Sequence, residues 1–402
     1  MSSLITLFKQ KMMWIGLIVI LVVVLLLGLA QIGSSSNPVP KRMPVAFVTL
    51  DKEAALPNGQ TFGVGKMIEQ NIAKMNVEGE TPALEWVTLT DADSAMKGLD
   101  EQKYYAVIVL PQQLSTKVAS ILSPQPQAAS VNVYINQGMN ATGANLVGQI
   151  VAKMGEGINA GIRTQLLGAM KGQGDQLNTA QAAALAMPIA FQTENVNPVP
   201  AHSANGNAPV SFTILAWFCG IVASMIHMFA SNKARSASRS GNAMVIVGQA
   251  VAGIVYAFVG ALSTLLLVKG ILGMTIPDAG AFVWNMAIIT FCFYLMQSCL
   301  LNWLGLPGMP IMILVFFFGS PILALPEQML PAFTHDWLYS WIPLRFGSAI
   351  LRDLLYFGEG VNASAPLAIL LITGAAALCL SLLSAMVKSY APKVGASVSR
   401  GM

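Results

Sequence analysis

Residues 210–268 read VSFTILAWFCGIVASMIHMFA, SNKARSASRSGNA, MVIVGQAVAGIVYAFVGALSTLLLV. Two apolar runs, Val210–Ala230 and Met244–Val268, contain no Lys, Arg, Asp or Glu, and Lys233, Arg235 and Arg239 crowd the connection between them. A helix rises about 1.5 Å per residue, so about 20 residues cross the roughly 30 Å of bilayer hydrocarbon. Both runs are long enough. Cytoplasmic loops retain Lys and Arg, so the connection between the two runs is expected on the inside.

The same reading extends outward. Met12–Ile32, Val283–Leu304, Pro310–Leu325 and Pro366–Val387 are further uncharged runs. Lys9 and Lys11 precede the first, and Lys388, Lys393 and Arg400 follow the last. With both termini and the Lys233–Arg239 connection inside, the number of spans is even, and about six fit. The loop Leu306–Met309 has no basic residue, which makes the pairing of the fourth and fifth spans the least constrained. A cleaved signal peptide is the other reading of Met12–Ile32, but its apolar core runs only about 7–15 residues, so the length favours a retained anchor. Composition agrees. Of 402 residues 55% are apolar and 10% charged, where a soluble chain carries about 25% charged residues.

The expected organisation is a surface helix and first span in 1–33, an extracytoplasmic domain in 34–208, about five helices in 209–390, and a cytoplasmic tail in 391–402. The formal charge of +4 is too small to suggest nucleic acid. All four cysteines, Cys219, Cys292, Cys299 and Cys379, lie in apolar runs, so the polar 34–208 segment holds no internal disulfide.

Within that segment, Ser34–Pro40 reads as a linker. Val45–Leu50, Trp86–Leu89, Tyr104–Leu110, Ser130–Asn136 and Ile189–Asn197 read as strands, and Gly63–Met75, Asp91–Leu99 and Gln113–Ile121 as helices. The alternation predicts a small α/β or α+β domain. Leu146, Ile150, Met154, Ile158, Ile162 and Leu166 recur every four residues along a long helix, and their stripe serves either the domain's core or a dimer contact.

Chemical motifs are sparse. Gly59–Lys66 (GQTFGVGK) superficially matches a phosphate-binding loop, but Gln60 stands where a glycine is required and Met67 where a Ser or Thr would hold magnesium, so it reads as a turn. His202, His227 and His335 are far apart without companion ligands, and no metal or other cofactor is expected. Asn140-Ala-Thr142 and Asn362-Ala-Ser364 match the glycosylation pattern only formally. The spans hold Gln249, Gln297 and Asn285 but almost no ionisable group, which argues against an ion-coupled carrier and for energy supplied from outside the chain. Asp336–Tyr356 (DWLYSWIPLRFGSAILRDLLY) places Trp337, Tyr339 and Trp341 before a helical pattern that opens at Pro343. It reads either as an interfacial or re-entrant helix or as an amphipathic connector.

Several stretches resemble one family. Val45–Glu53 (VAFVTLDKE), Ala92–Ser115 (ADSAMKGLDEQKYYAVIVLPQQLS), Asn136–Asn145 and Asn195–Pro200 (NVNPVP) resemble the phage infection protein-like branch of ABC-2 type transporter permeases. Ile342–Arg352 (IPLRFGSAILR) is similar to the Pro-to-Arg signature before the last span of such permeases. The resemblance implies a polytopic helical protein of the bacterial cytoplasmic membrane, working as a homodimer or pseudo-dimer in membrane lipid with a separate ATP-binding cassette ATPase. It implies that Ser231–Asn242, with Lys233, Arg235 and Arg239, docks on that ATPase. Leu4–Lys11 would be a surface helix, and Trp341, Pro343, Arg345 and Arg352 would belong to an outer gate. The outer segment is shorter than in the long phage infection proteins, so no phage-receptor role is implied. Export of a hydrophobic or amphipathic compound by a subunit without its own nucleotide site is the leading expectation. An envelope scaffold or secretion-apparatus component that binds partners through the 34–208 segment is the alternative, and a solute carrier comes third.

Overall fold

A computed structural model describes Val22 and Leu25, both helical, and residues 39–56, 61–75, 81–170, 177–235, 238–360 and 364–388. The surface helix Leu4–Lys11, the rest of the span Met12–Ile32, most of the linker, and the tail 391–402 lie outside the described residues. The chain divides into two compact units, Pro38–Val199 with Leu325–Leu330, and the remainder.

The first unit is built on a five-stranded sheet of order β4-β1-β5-β6-β7, comprising β1 (Met43–Thr49), β4 (Leu84–Leu89), β5 (Ala106–Leu110), β6 (Ser130–Asn136) and β7 (Ala190–Val196). β1 lies parallel to both β4 and β5, with Val45 opposite Trp86 and Ala106. β5 and β6 are antiparallel, and β6 and β7 parallel. A two-residue hairpin, β2 (Ala54–Ala55) with β3 (Thr61–Phe62), precedes α1 (Val64–Met75). Central β1 is apolar at successive positions because both faces of the sheet are covered. Val45 and Phe47 join a large core with Val133, Ile68 and Ile162. The alternate residues Ala46 and Val48 pack on Ala95 and Leu99 of α2 (Ala92–Asp100) across the opposite face.

The long helix is α4 (Ala141–Met170, 30 residues), which follows the short α3 (Leu114–Ala119). Its buried residues run Val147, Val151, Gly155, then Ile158, Ile162, Leu166. A four-residue spacing advances about 40° too far at each step on a 3.6-residue helix. Three-residue steps, from the buried Ala144 to Val147 and from Gly155 to Ile158, return the stripe to the core. Leu146, Ile150 and Met154 pack beside the same core at its edge. Of the expected stripe, Ile158, Ile162 and Leu166 therefore serve the core, while Leu146, Ile150 and Met154 are only half-buried. The sequence reading missed the hairpin and α5 (Thr179–Ala186), whose start is a capping box between Asn178 and Gln181.

The glycine-rich turn before α1 shows what takes the place of a phosphate. Gly59 and Gln60 lie outside the described residues, but the Gly65 N–H donates to Asp51 Oδ2 at 2.9 Å and the Val64 N–H donates to Ser115 Oγ at 2.8 Å. Asp51 also accepts from the Ser115 N–H (2.8 Å) and hydroxyl (2.5 Å) at the start of α3. A helix N-terminus attracts anions, and here the chain's own carboxylate fills that position.

Leu325–Leu330 completes this unit although it lies far along the chain. Met329 is buried in the large core, Gln328 O accepts from the Lys41 N–H at 3.1 Å, and Gln328 Oε1 accepts from the Tyr105 hydroxyl at 3.1 Å.

The second unit is helical. Among the described residues five of its helices are long and apolar enough to cross a membrane: α6 (Ala208–Ala234), α7 (Arg239–Leu265, continued by a π-turn to Ile271), α8 (Ala279–Leu304), α9 (Met309–Ala324, with a 3₁₀ turn before it) and α11 (Ala365–Val387). These match the expected spans to within a few residues at most ends. The tight turn Gly305–Gly308, opened by Gly305 at φ +68°, joins α8 to α9. α8 is the hub, packing on α6, α7 and α11. Gly253 permits its approach to α7, since a Cβ there would run into the Tyr294 ring. The 14-residue α10 (Pro343–Tyr356) covers only about 21 Å, too short to cross. It packs on α6 and α11 through a buried face that includes Leu344, Gly347, Leu351 and Leu354.

Candidate functional site

The C-terminal ends of α6, α8 and α11 and the N-terminal end of α7 meet at one end of the helical unit, and polar side chains join them. His227 Nδ1 lies 2.8 Å from the Tyr294 hydroxyl, and that hydroxyl donates to Gln249 O at 2.7 Å. The phenol has one proton and the carbonyl can only accept. His227 therefore carries its proton on Nδ1 and donates to Tyr294. Edge-on contacts with Tyr256 (4.7 Å between ring centres) and Tyr294 (5.3 Å) hold the imidazole. Gln249 Nε2 donates to Ser231 Oγ at 2.5 Å, and Ser231 Oγ donates to His227 O at 2.6 Å.

The seam then runs toward the basic residues. Asn302 Nδ2 donates to Gln249 Oε1 at 3.3 Å, and Arg235 donates through an NH2 group to Asn302 Oδ1 at 2.6 Å. Lys388 Nζ donates to Asn302 O at 2.9 Å and to Trp303 O. Burial, helped by Arg235 nearby, pushes the Lys388 ammonium below the usual lysine range. The Trp303 indole donates to Leu380 O at 2.9 Å. Four helices are thus linked where each backbone is already satisfied internally, so these side chains have only one another and stray carbonyls as partners.

The three residues expected to dock an ATPase are not equivalent. Lys233 is exposed in the last turn of α6, and Arg239 is exposed at the first position of α7. Arg235, the C-cap of α6, turns inward and is half-buried. Gln249 joins the seam, Gln297 instead donates to Trp217 O at 3.1 Å, and Asn285 donates to Ala281 O within its own helix. Tyr294, Asn302 and Ser231 were not foreseen. A signal did exist, because Thr290, Tyr294 and Gln297 share one face of α8 at i, i+4 and i+7.

The residues expected at a gate gather at α10, away from the seam in sequence. Arg345 lies over the Tyr339 ring at 4.4 Å and the Phe346 ring at 4.8 Å, and its NH1 donates to Tyr339 O at 2.9 Å. His335 stacks on the same Tyr339, with 6.1 Å between ring centres. Trp341 is exposed, its indole donating to Trp337 O at 2.6 Å. Pro343 is the first residue of α10, and Arg352 is half-buried near its end. Among the described residues no three of His, Cys, Asp and Glu converge to hold a metal ion.

A family model described as ABC-2 family transporter protein matches residues 11–383. The chain belongs to the ABC-2 transporter family. It is an integral, multi-pass membrane component, and ABC-2 permeases typically work with an ATPase subunit. Among curated proteins, the "Uncharacterized protein YhgE" of Bacillus subtilis (strain 168) is 24% identical over 124 residues, 31% of this chain and 15% of that protein. That likeness accords with the phage infection protein-like branch named from the sequence. No solved structure matches.

Proposed function

We propose that this ABC-2 permease is the membrane subunit of an ATP-driven exporter that moves a hydrophobic or amphipathic compound outward. Two copies form the path, and a separate ATPase binds and hydrolyses the nucleotide. In this reading both termini and the Lys233–Arg239 connection face the cytoplasm, and residues 34–208 face outward. The seam is the observation that carries it. Arg235 stands at the α6–α7 connection and is tied through Asn302 and Gln249 to Tyr294 and His227. A push on the connection therefore reaches α8, the hub of the spans, through hydrogen bonds rather than loose packing. Lys233 and Arg239 supply the exposed charge for docking, and Arg235 transmits the load. Arg345 and its aromatic partners would then form part of the outer gate.

The test is co-purification of the full chain with the ATP-binding cassette ATPases of the same cell. Lys233→Glu with Arg239→Glu should abolish association. Arg235→Gln should preserve association while lowering permease-stimulated ATP hydrolysis at least tenfold. Association that survives the double charge reversal would overturn the docking role. Removing residues 45–189 separates the scaffold reading, since a scaffold loses every partner while a pump keeps its ATPase.

A further inference from the structure

The sheet unit carries an open apolar groove of about 810 Å³ that no part of the reading above uses. Ligand sites span about 300–1,000 Å³ and combine mostly apolar walls with a few placed polar groups. This groove fits that description. Its walls come from α1, β4 and α4, with Met67, Ile72, Trp86, Ile150 and Met154 among them, and every lining residue belongs to the sheet unit. Two unbranched methionines and an indole make a wall that adapts to varied apolar shapes. Gly157 and Gly161 open the α4 side, because a Cβ at either position would meet nothing within 4 Å. The groove shares its floor with the large core through Ile68, Ile72, Leu84 and Ile158, and Met67, Trp86, Ile150 and Met154 form its half-buried walls.

Charge narrows the occupant. Lys153 is the single charged side chain lining the groove among the described residues, it is exposed, and it has no ion-pair partner among them. Asn71 adds an exposed amide. An apolar body would lie along the methionine and indole wall while one negative group meets the ammonium. A cationic compound would meet repulsion at that point.

We infer that the groove binds a soluble amphiphile with one apolar chain and a single negative charge. This deepens the export reading by naming a compound class, and it rests on that reading only for the direction of travel. Every lining residue belongs to the sheet unit, and the proposal commits to a ligand that arrives from water.

The probe is hexadecanoic acid bearing a diazirine, compared with the matching hexadecanol, on the full chain in phosphatidylcholine nanodiscs without any ATPase. Photolysis followed by peptide mass spectrometry should place the acid on 64–75, 84–89 or 150–161, at least threefold above the alcohol. Gly157→Leu with Gly161→Leu projects side chains into the open space while replacing glycine by a better helix former. That pair should lower labelling at least tenfold with no loss of folded protein. Lys153→Glu should bring the acid down to the level of the alcohol. Labelling unchanged by the leucine pair, or absent from those peptides, overturns the site. Equal labelling by acid and alcohol overturns the charge selection. Loss of the label in phosphatidylglycerol nanodiscs assigns the groove to bilayer lipid and overturns the soluble ligand. Failure of ATPase association would leave these results untouched, so the two readings fail separately.

Discussion

In the sheet unit, several polar side chains work at the ends of elements. Asp51 serves the starts of α1 and α3, Asp91 caps α2, and Asn178 caps α5. In the span unit they work in the interior of helices, as His227, Gln249 and Tyr294 do. The difference follows from solvent. A water-exposed fold must satisfy orphan N–H groups at helix termini, and side-chain oxygens do so locally. A helix in lipid satisfies its own backbone, so a buried polar side chain either bonds back to a carbonyl of its own helix, as Asn285 does, or reaches across to a neighbour. The same chemistry caps helix starts in the first unit and, along the seam, couples four helices in the second.

The contrast can be broken by experiment, and the largest effect is expected in the sheet unit. Asp51→Ala removes three hydrogen bonds to one carboxylate, and bonds to charged groups contribute about 1.5–3 kcal/mol each. The expected loss is about 3 kcal/mol or more, seen as faster amide exchange across residues 64–75 and 114–119, with the spans unaffected. Exchange that rises equally in α8 would end the claim that Asp51 acts locally.

Next comes Gly253→Leu, which drives a side chain into Tyr294. Overpacking costs about 1–3 kcal/mol. The melting temperature in detergent should fall, whereas Gly248→Leu on the same helix, where a Cβ meets nothing within 4 Å, should stay near wild type. Similar melting of both variants would remove Gly253 as the close-approach point.

Coupling itself is measured by a double-mutant cycle of His227→Leu and Tyr294→Phe. Interhelical polar pairs in membranes couple by about 0.6 kcal/mol and at most about 1.7 kcal/mol. A value in that range from detergent unfolding supports a working link, and zero coupling would reduce it to packing. Arg345→Lys is smaller still. It keeps the charge but loses the planar stack over Tyr339, worth about 0.5–1 kcal/mol. A fall in melting temperature larger than that of Arg345→Ala would contradict the stacking account.

The smallest effect is one of pH. Hydrogen bonds from Ser94 hold the Asp91 carboxyl below its usual range. A depressed carboxyl contributes stability that is present above the unfolded pKa and disappears as pH falls through the folded one. Exchange protection in 92–100 should therefore weaken only in acid below the ordinary carboxylate range, and Asp91→Asn should flatten that dependence.

Most of the sheet unit was legible because β-branched runs such as Ser130–Asn136 and a capped start such as Asp91 carry their meaning locally. The two-residue strands of the hairpin are too short for any periodicity. Thr179–Ala186 is alanine-rich with no clear apolar face, so only its capping box marks it. The spans announced themselves by length, but the seam did not. Tyr294 lies in TFCFYLMQSC, where an aromatic residue looks like its apolar neighbours until the facing helix is known. Arg235, grouped with Lys233 and Arg239 by sequence, parts from them because its position at the helix end points it toward Asn302. The groove was invisible for the same reason, since Trp86 and Met154 are distant in sequence.

The hexapeptide Leu325–Leu330 bears on modularity. The sheet unit looks like a cassette placed ahead of α6, yet its core includes Met329 and its first strand is flanked by Gln328, both supplied from between α9 and α10. A fragment of 38–199 would carry an unfilled gap in its core. A relative could gain or lose this unit only by changing two separated places in its gene, and such a change would meet the linker between α9 and α10 each time. Swapping the unit between permeases would therefore require transplanting both pieces together.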